Sequence, residues 1–361
     1  MLRVLHVIGP MRTGGAQTQL LGLVRAAHGK FWDATVCGTS PGSMTSEFEA
    51  AGIPVSELRR WGSPGLIRMA RLRRVVAKGS FDVVHSNLWQ SNLYTRLAVL
   101  GVRQKPKIVI SERGVDYERS GLYRFVDRRL RSLTDAWVGN SVTVVEFIEH
   151  AHTLSHGQVA LIPNAIDREI FRSSSTERAS SGPLRVGTVG RLTWEKGHEV
   201  LIEAARILVD RGHSFEFCIA GEGPRREELE GLASGLPVTL LGALEPGRQV
   251  AGFLSSLDIF VLASHQEGRP NAVLEALAAG IPAIVCDAPG SVEALDDGGI
   301  VVSRGDPRAL ADALLKVAAD LPAAERVARA AGDRVLDFDQ LAHRYLELFN
   351  QLCIEAIDPT K

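Results

Sequence analysis

Short apolar runs alternate with amphipathic stretches along almost the whole chain. Runs at 2–8, 33–38, 82–85, 107–111 and 136–140 are short and rich in Val, Ile and Leu. They are too continuously apolar for a sheet with one wet face, so each predicts a strand buried on both sides. Stretches of helical period lie between them, the first at 19–28. This alternation predicts a doubly wound parallel sheet, whose ligands sit beyond the carboxyl ends of the strands. A second series follows at 184–189, 214–220, 238–241, 259–262, 283–286 and 300–302, with a helix at 199–211. The stretch between the two series, SSSTERASSG at 173–182, is polar and poor in apolar residues, and it is the linker candidate. Two α/β domains are therefore expected, 1–170 and 183–339. A last helix, at about 340–361, comes after the second sheet is complete and is expected to pack back on the first domain.

The ends of the strands carry the candidate chemistry. In the first series, Val84 runs into His85, Ser86 and Asn87, Ile110 into Ser111, Glu112 and Arg113, and Val138 into Gly139, Asn140 and Ser141. One such His is usually a structural hydrogen-bonder, but three polar clusters on one expected sheet edge point to a site. Gly14 and Gly15 follow the first strand, where paired glycines let backbone approach a ligand closely. In the second series, the first strand opens into Gly190-Arg191-Leu192-Thr193-Trp194-Glu195-Lys196-Gly197, which sets two cations in a loop before a helix. Fixed cations there suit a diphosphate. The block EGRPNAVLEALAAGIPAIVC, 267–286, predicts a turn, a helix started by Pro270 and stopped by Gly280 and Pro282, and a buried strand. Its helix start, near Pro270, Asn271 and Ala272, offers free N–H groups to an anion. Glu267 and Glu275 frame that start, and carboxylates bind vicinal sugar hydroxyls by charge-assisted hydrogen bonds.

Composition narrows the class. At 361 residues, 45% hydrophobic and 23% charged, the chain reads as a soluble globular protein large enough for two domains. No apolar run is long enough to cross a bilayer, and the opening MLRVLHVIGP reads as a first core strand with no signal-peptide cleavage site. Cys37, Cys218, Cys286 and Cys353 lie far apart, as reduced thiols of a cytoplasmic protein do. The net charge of −1 conceals a split. Residues 1–170 hold 22 Lys and Arg against 14 Asp and Glu, and residues 171–361 hold 19 against 28. The stretch 59–78 holds Arg59, Arg60, Arg68, Arg71, Arg73, Arg74 and Lys78, interleaved with Leu66, Ile67, Leu72 and Val76. Basic residues recur at 119–131, with Tyr117, Leu122, Tyr123 and Phe125 nearby. Two basic amphipathic stretches in one half suggest an anionic membrane surface. A nucleic-acid partner is not expected, since no recognition motif occurs. Asp337 and Asp339 read as helix-start acids, and His150, His152 and His156 as a solvated helix end, so no metal site is expected.

Taken in order, these residues resemble the retaining glycosyltransferases of family 4. The matching pieces are Gly14-Gly15-Ala16-Gln17, Ile162-Pro163-Asn164-Ala165-Ile166-Asp167, Gly190-Arg191-Leu192 through Lys196-Gly197, Ala220-Gly221-Glu222-Gly223-Pro224, and Ser264-His265-Gln266-Glu267-Gly268 through Glu275-Ala276. The resemblance implies the GT-B fold, two facing Rossmann-like domains with an interdomain cleft. It implies a nucleoside-diphosphate sugar as substrate, a UDP-sugar ahead of GDP-mannose, with no cofactor and no metal. The sugar would pass, with its anomeric configuration kept, to a glycan or lipid-linked acceptor, on the cytoplasmic face of the inner membrane. Arg191 and Lys196 would hold the diphosphate and stabilise the leaving group, Glu275 the ribose and Glu267 the hexose. The backbone around Pro270, Asn271 and Ala272 would lie near sugar and phosphate, and Gly14 and Gly15 would let a first-domain loop approach the phosphates. Many members carry a His after the strand that here ends Ser111-Glu112-Arg113; Glu112, Arg113 or His85 would fill that place. A nucleotide-sugar epimerase, or a binding protein that lost catalysis, are the other readings.

Overall fold

The computed structural model describes residues 1–58, 65–115, 121–173 and 182–355. Arg59, Arg60, Tyr117, Arg119, most of the expected linker and the last six residues lie outside that set. The chain forms two compact units, Met1–Asn164 with Leu336–Lys361, and Ala165–Val335.

The first unit holds seven strands, β1 (Leu2–Pro10), β2 (Trp32–Ser40), β3 (Val55–Glu57), β4 (Val83–Asn87), β5 (Lys107–Glu112), β6 (Ala136–Gly139) and β7 (Val159–Leu161). They pair in the order β3-β2-β1-β4-β5-β6-β7, every pair parallel. The order reverses between β1 and β4, the place where open sheets of this kind bind ligands. Leu5, Val7, Val84, Ile108 and Ile110 fill the core with no exposed surface. The sequence pattern did not mark β3 and β7, since three residues are too few to show a period. The helix Phe338–Glu355 belongs to this unit and lies against the helix Gly15–Ala27. A Cβ at Gly22 would stand 2.2 Å from the Phe338 ring, so only glycine lets the two helices approach this closely.

The second unit holds β8 (Leu184–Val189), β9 (Phe215–Ala220), β10 (Val238–Gly242), β11 (Ile259–Leu262), β12 (Ala283–Cys286) and β13 (Gly299–Val302). They pair in parallel in the order β10-β9-β8-β11-β12-β13, with the reversal between β8 and β11. Helices cover both faces, around Val186, Ile259 and Ile284 on one side and Phe260, Val273 and Val285 on the other. The expected boundary at 170 falls at Asn164 instead. Ile166 and Phe171, each 3% exposed, fill the second core, and that burial assigns 165–170 to the second unit. Likewise 336–339, expected with the second unit, group with the helix they lead into.

Candidate active site

In the second unit, β8 and β11 are neighbours at the reversal point, so the loops that follow them meet there although some 70 residues separate them. Gly197 closes the first loop at φ 61°, and a Cβ there would stand 2.1 Å from the Ala263 carbonyl oxygen. No side chain fits that contact, and glycine is what allows the two loops to touch. The 3₁₀ turn Trp194–Lys196 aims Lys196 across the seam. Its Nζ donates to Glu267 Oε1 at 2.5 Å, and the Ser264 hydroxyl donates to the same oxygen at 2.8 Å. The two charges are only 18% and 10% exposed, which strengthens their attraction relative to a surface pair. Arg191 takes a different path. Its side chain is 73% exposed and donates to Glu195 at 3.0 Å, so the two loop cations are separated rather than clustered.

Just past Glu267 the helix Asn271–Ala278 begins, with Pro270 at its cap in extended geometry and no side-chain cap. A helix start without a side-chain cap favours a negatively charged group. The carboxyl of Glu275, in the second turn, is half-buried and has no hydrogen-bond or ion-pair partner among the described residues, and burial pushes it up to about 7. An apolar helix flank with an unpaired carboxyl is costly unless a ligand's hydroxyls complete it.

The polar residues at the strand ends of the first unit form a chain of hydrogen bonds. The Trp32 indole N–H donates to His6 Nε2 at 3.1 Å, which leaves the His6 proton on Nδ1. That N–H donates to His85 Nδ1 at 3.1 Å, so His85 in turn carries its proton on Nε2 and donates to Ser111 Oγ at 2.7 Å. The Tyr345 hydroxyl closes the run, 3.4 Å from Ser111 Oγ. Both rings are fully buried and stay neutral: burial lowers His6 to about 3, and burial together with His6 and Arg113 holds His85 well below the ordinary range. This corrects the expectation that His85 works on a substrate. Its nitrogens are both engaged and its ring has no exposed surface. Glu112 is similarly enclosed, 4% exposed and hydrogen-bonded by Asn92 at 3.1 Å.

Arg113 is the more open member of the group. Its guanidinium donates to Asn164 at 2.9 Å, Tyr345 at 3.3 Å and Asn87 at 3.4 Å, which binds the ends of β4 and β5 to the C-terminal helix. Gly14 and Gly15 lie at the end of β1, where Gly14 precedes the helix Gly15–Ala27 in extended geometry. The reading of His152 as solvated is also corrected. It is 2% exposed, packed against Trp137 with ring centroids 4.0 Å apart and planes tilted by 36°, and paired with Asp127, which also holds the buried Arg96. His156 is exposed as expected, and Asp337 accepts from the Gln340 N–H at 2.8 Å as a cap. No group of three or more potential metal ligands occurs among the described residues.

Sequence reasoning did not single out Tyr345, and it named Ser264 and His265 only as part of the family-like block, without their partners, which lie 3 to 234 residues away.

The family model for glycosyl transferases group 1 matches residues 183–320, and that for glycosyltransferase family 4 matches residues 13–170. EpsF, a protein of Bacillus subtilis (strain 168) whose name classes it with the glycosyltransferases, is 28% identical over 323 residues, 84% of this chain and 83% of that one. The GDP-mannose-dependent α-(1-6)-phosphatidylinositol dimannoside mannosyltransferase of Mycobacterium tuberculosis is 36% identical over 161 residues, 42% of each chain. The crystal structure of Anabaena Alr3699/HepE in complex with UDP superposes with a TM-score of 0.84 at 17% identity, covering 97% of this chain and all of that one. The two doubly wound units thus share the GT-B architecture, and with the family models matched across both of them the chain belongs to the family 4, group 1 glycosyltransferases.

Proposed function

We propose that the chain transfers a hexose, with retention of anomeric configuration, from a UDP-sugar to a lipid-linked or surface-polysaccharide acceptor. The observation that carries this reading is the second unit's reversal point, where Lys196 and Glu267 meet beside an uncapped helix start and the unpartnered Glu275. Lys196, Arg191 and the helix N–H groups bind the diphosphate and stabilise the charge that grows on it as the sugar leaves. Glu267 accepts from hexose hydroxyls and Glu275 from the ribose. The cationic side chains supply the electrophilic help that a metal gives elsewhere, so the reaction runs without one. The attacking hydroxyl approaches on the face the leaving group departs from and gives its proton to a phosphate oxygen. UDP is favoured because Alr3699/HepE, alike in fold, was crystallised with it, and GDP-mannose comes next because a relative's name carries that donor.

In the first unit, exposed Leu66, Ile67 and Phe125 lie on helices rich in arginine, which supports seating on an anionic membrane where a lipid-linked acceptor resides. The test of the chemistry is ¹H NMR of the first product formed from UDP-glucose, by transfer or by slow hydrolysis. An α-configured first product is expected. A β-configured one contradicts the retaining mechanism.

A further inference from the structure

Besides the Lys196–Glu267 pair and the close approach of Gly197 to Ala263, the loop that carries Lys196 and the loop that carries Glu267 are joined through His265. Its backbone N–H donates to the Glu195 carbonyl at 2.8 Å, and its own carbonyl accepts from Arg304 at 3.1 Å. Its ring stacks on Trp194, with centroids 4.8 Å apart and planes 27° from parallel. Its Nε2–H donates to Glu199 Oε1 at 3.1 Å, in the first turn of the helix His198–Asp210 that leaves the Lys196 loop. Glu199 is fixed in turn by Arg225, whose Nη1 donates to its other oxygen at 2.6 Å and which also grips Glu228. Trp194 is itself 63% exposed, so its ring gains little from burial beside the stack on His265. The loops after β8, β9 and β11 are thereby locked to one another, with the imidazole as the piece between the two that bear the paired charges.

We propose that His265 is a positioning residue that holds Glu267 at the distance from Lys196 at which a sugar and its diphosphate are gripped together. The inference rests on the proposed division of labour, Lys196 on the diphosphate and Glu267 on the hexose. His265 touches neither group of the substrate. Loss of its ring frees the Glu267 loop to drift while leaving Lys196 and the helix start in place. The part of donor affinity that comes from the sugar is then lost, and the part that comes from the nucleotide is kept.

The test compares UDP with UDP-glucose, and GDP with GDP-mannose, by titration calorimetry on the full chain. The measure is the ratio of the two dissociation constants for whichever pair wild-type protein binds. In wild type the sugar tightens binding. In His265→Ala the expected result is a nucleotide affinity within about 3-fold of wild type, loss of the sugar increment, and a kcat lowered about 10- to 100-fold. His265→Gln keeps an N–H for Glu199 and His265→Phe keeps the stack on Trp194, and each is expected to restore part of the increment. A His265→Ala variant that keeps the increment and the kcat overturns the inference. So does one whose melting temperature and nucleotide affinity fall together, since that is what a purely structural role produces. Wild-type protein that shows no sugar increment, or binds neither pair, instead overturns the proposed function, and this inference with it.

Discussion

Glu275 shows how a single side chain reports on the pocket around it. Its folded-state pKa is raised from 4.5 to about 7 because burial disfavours the carboxylate. For a group raised in this way, the stabilising contribution is complete below the unfolded value near 4.5. It is lost as pH rises through 7, because the unfolded chain then ionises freely while the folded one must ionise a buried group. Glu275→Gln is therefore expected to be more stable than wild type at pH 8, on the order of 3 kcal/mol, with the difference vanishing near pH 4.5. Donor binding has the opposite slope. The ionised carboxylate accepts ribose hydroxyls more strongly, so wild-type affinity should rise through pH 7 while that of Glu275→Gln stays flat. Melting curves and titrations across pH 4.5–8 read both, and parallel profiles for the two proteins would refute the assignment.

At the scale of elements, the helices Gly65–Gly79 and Gly121–Arg129 carry the first unit's excess of positive charge. On the first, Leu72 and Val76 turn inward while Leu66 and Ile67 face solvent, 73% and 44% exposed, among arginines. On the second, Phe125 is 56% exposed, and the Arg129 guanidinium lies 4.8 Å from its ring centre. Asp127 anchors that helix from within, bonded by Arg96 and His152. Removing exposed leucine and isoleucine costs the fold little, so Leu66→Ser/Ile67→Ser should stay folded and lose binding to anionic vesicles. Pelleting of wild type but not of the double variant at low salt is the expected result. Equal pelleting of both, or none of either, would set the membrane reading aside. These helices also mark where sequence reading reaches its limit. The basic, apolar interleaving at 65–79 was legible because it is local. The burial of His152 was not, because Trp137 and Asp127 come to it from other elements.

The whole molecule was legible wherever a periodic pattern ran long enough. The alternation of apolar strands and amphipathic helices gave both parallel sheets, and it put Lys196 and Glu267 in loops at strand carboxyl ends and Glu275 in the helix that follows. What was lost was pairing over distance. His85 reads the same in sequence whether it faces a ligand or lies between His6 and Ser111, and only the fold shows the latter. Arg191 and Lys196 look equivalent in the loop, yet one is exposed beside Glu195 and the other is held at Glu267. The central claim is that the second unit's loop ends grip a nucleoside-diphosphate sugar through Lys196 and Glu275. Titration of UDP-glucose and GDP-mannose into wild type, Lys196→Ala and Glu275→Ala tests it most directly. The account predicts that wild type binds one of the two donors and that each substitution weakens binding at least about 10-fold, roughly 1.4 kcal/mol. Folded variants that bind that donor as tightly as wild type would contradict it.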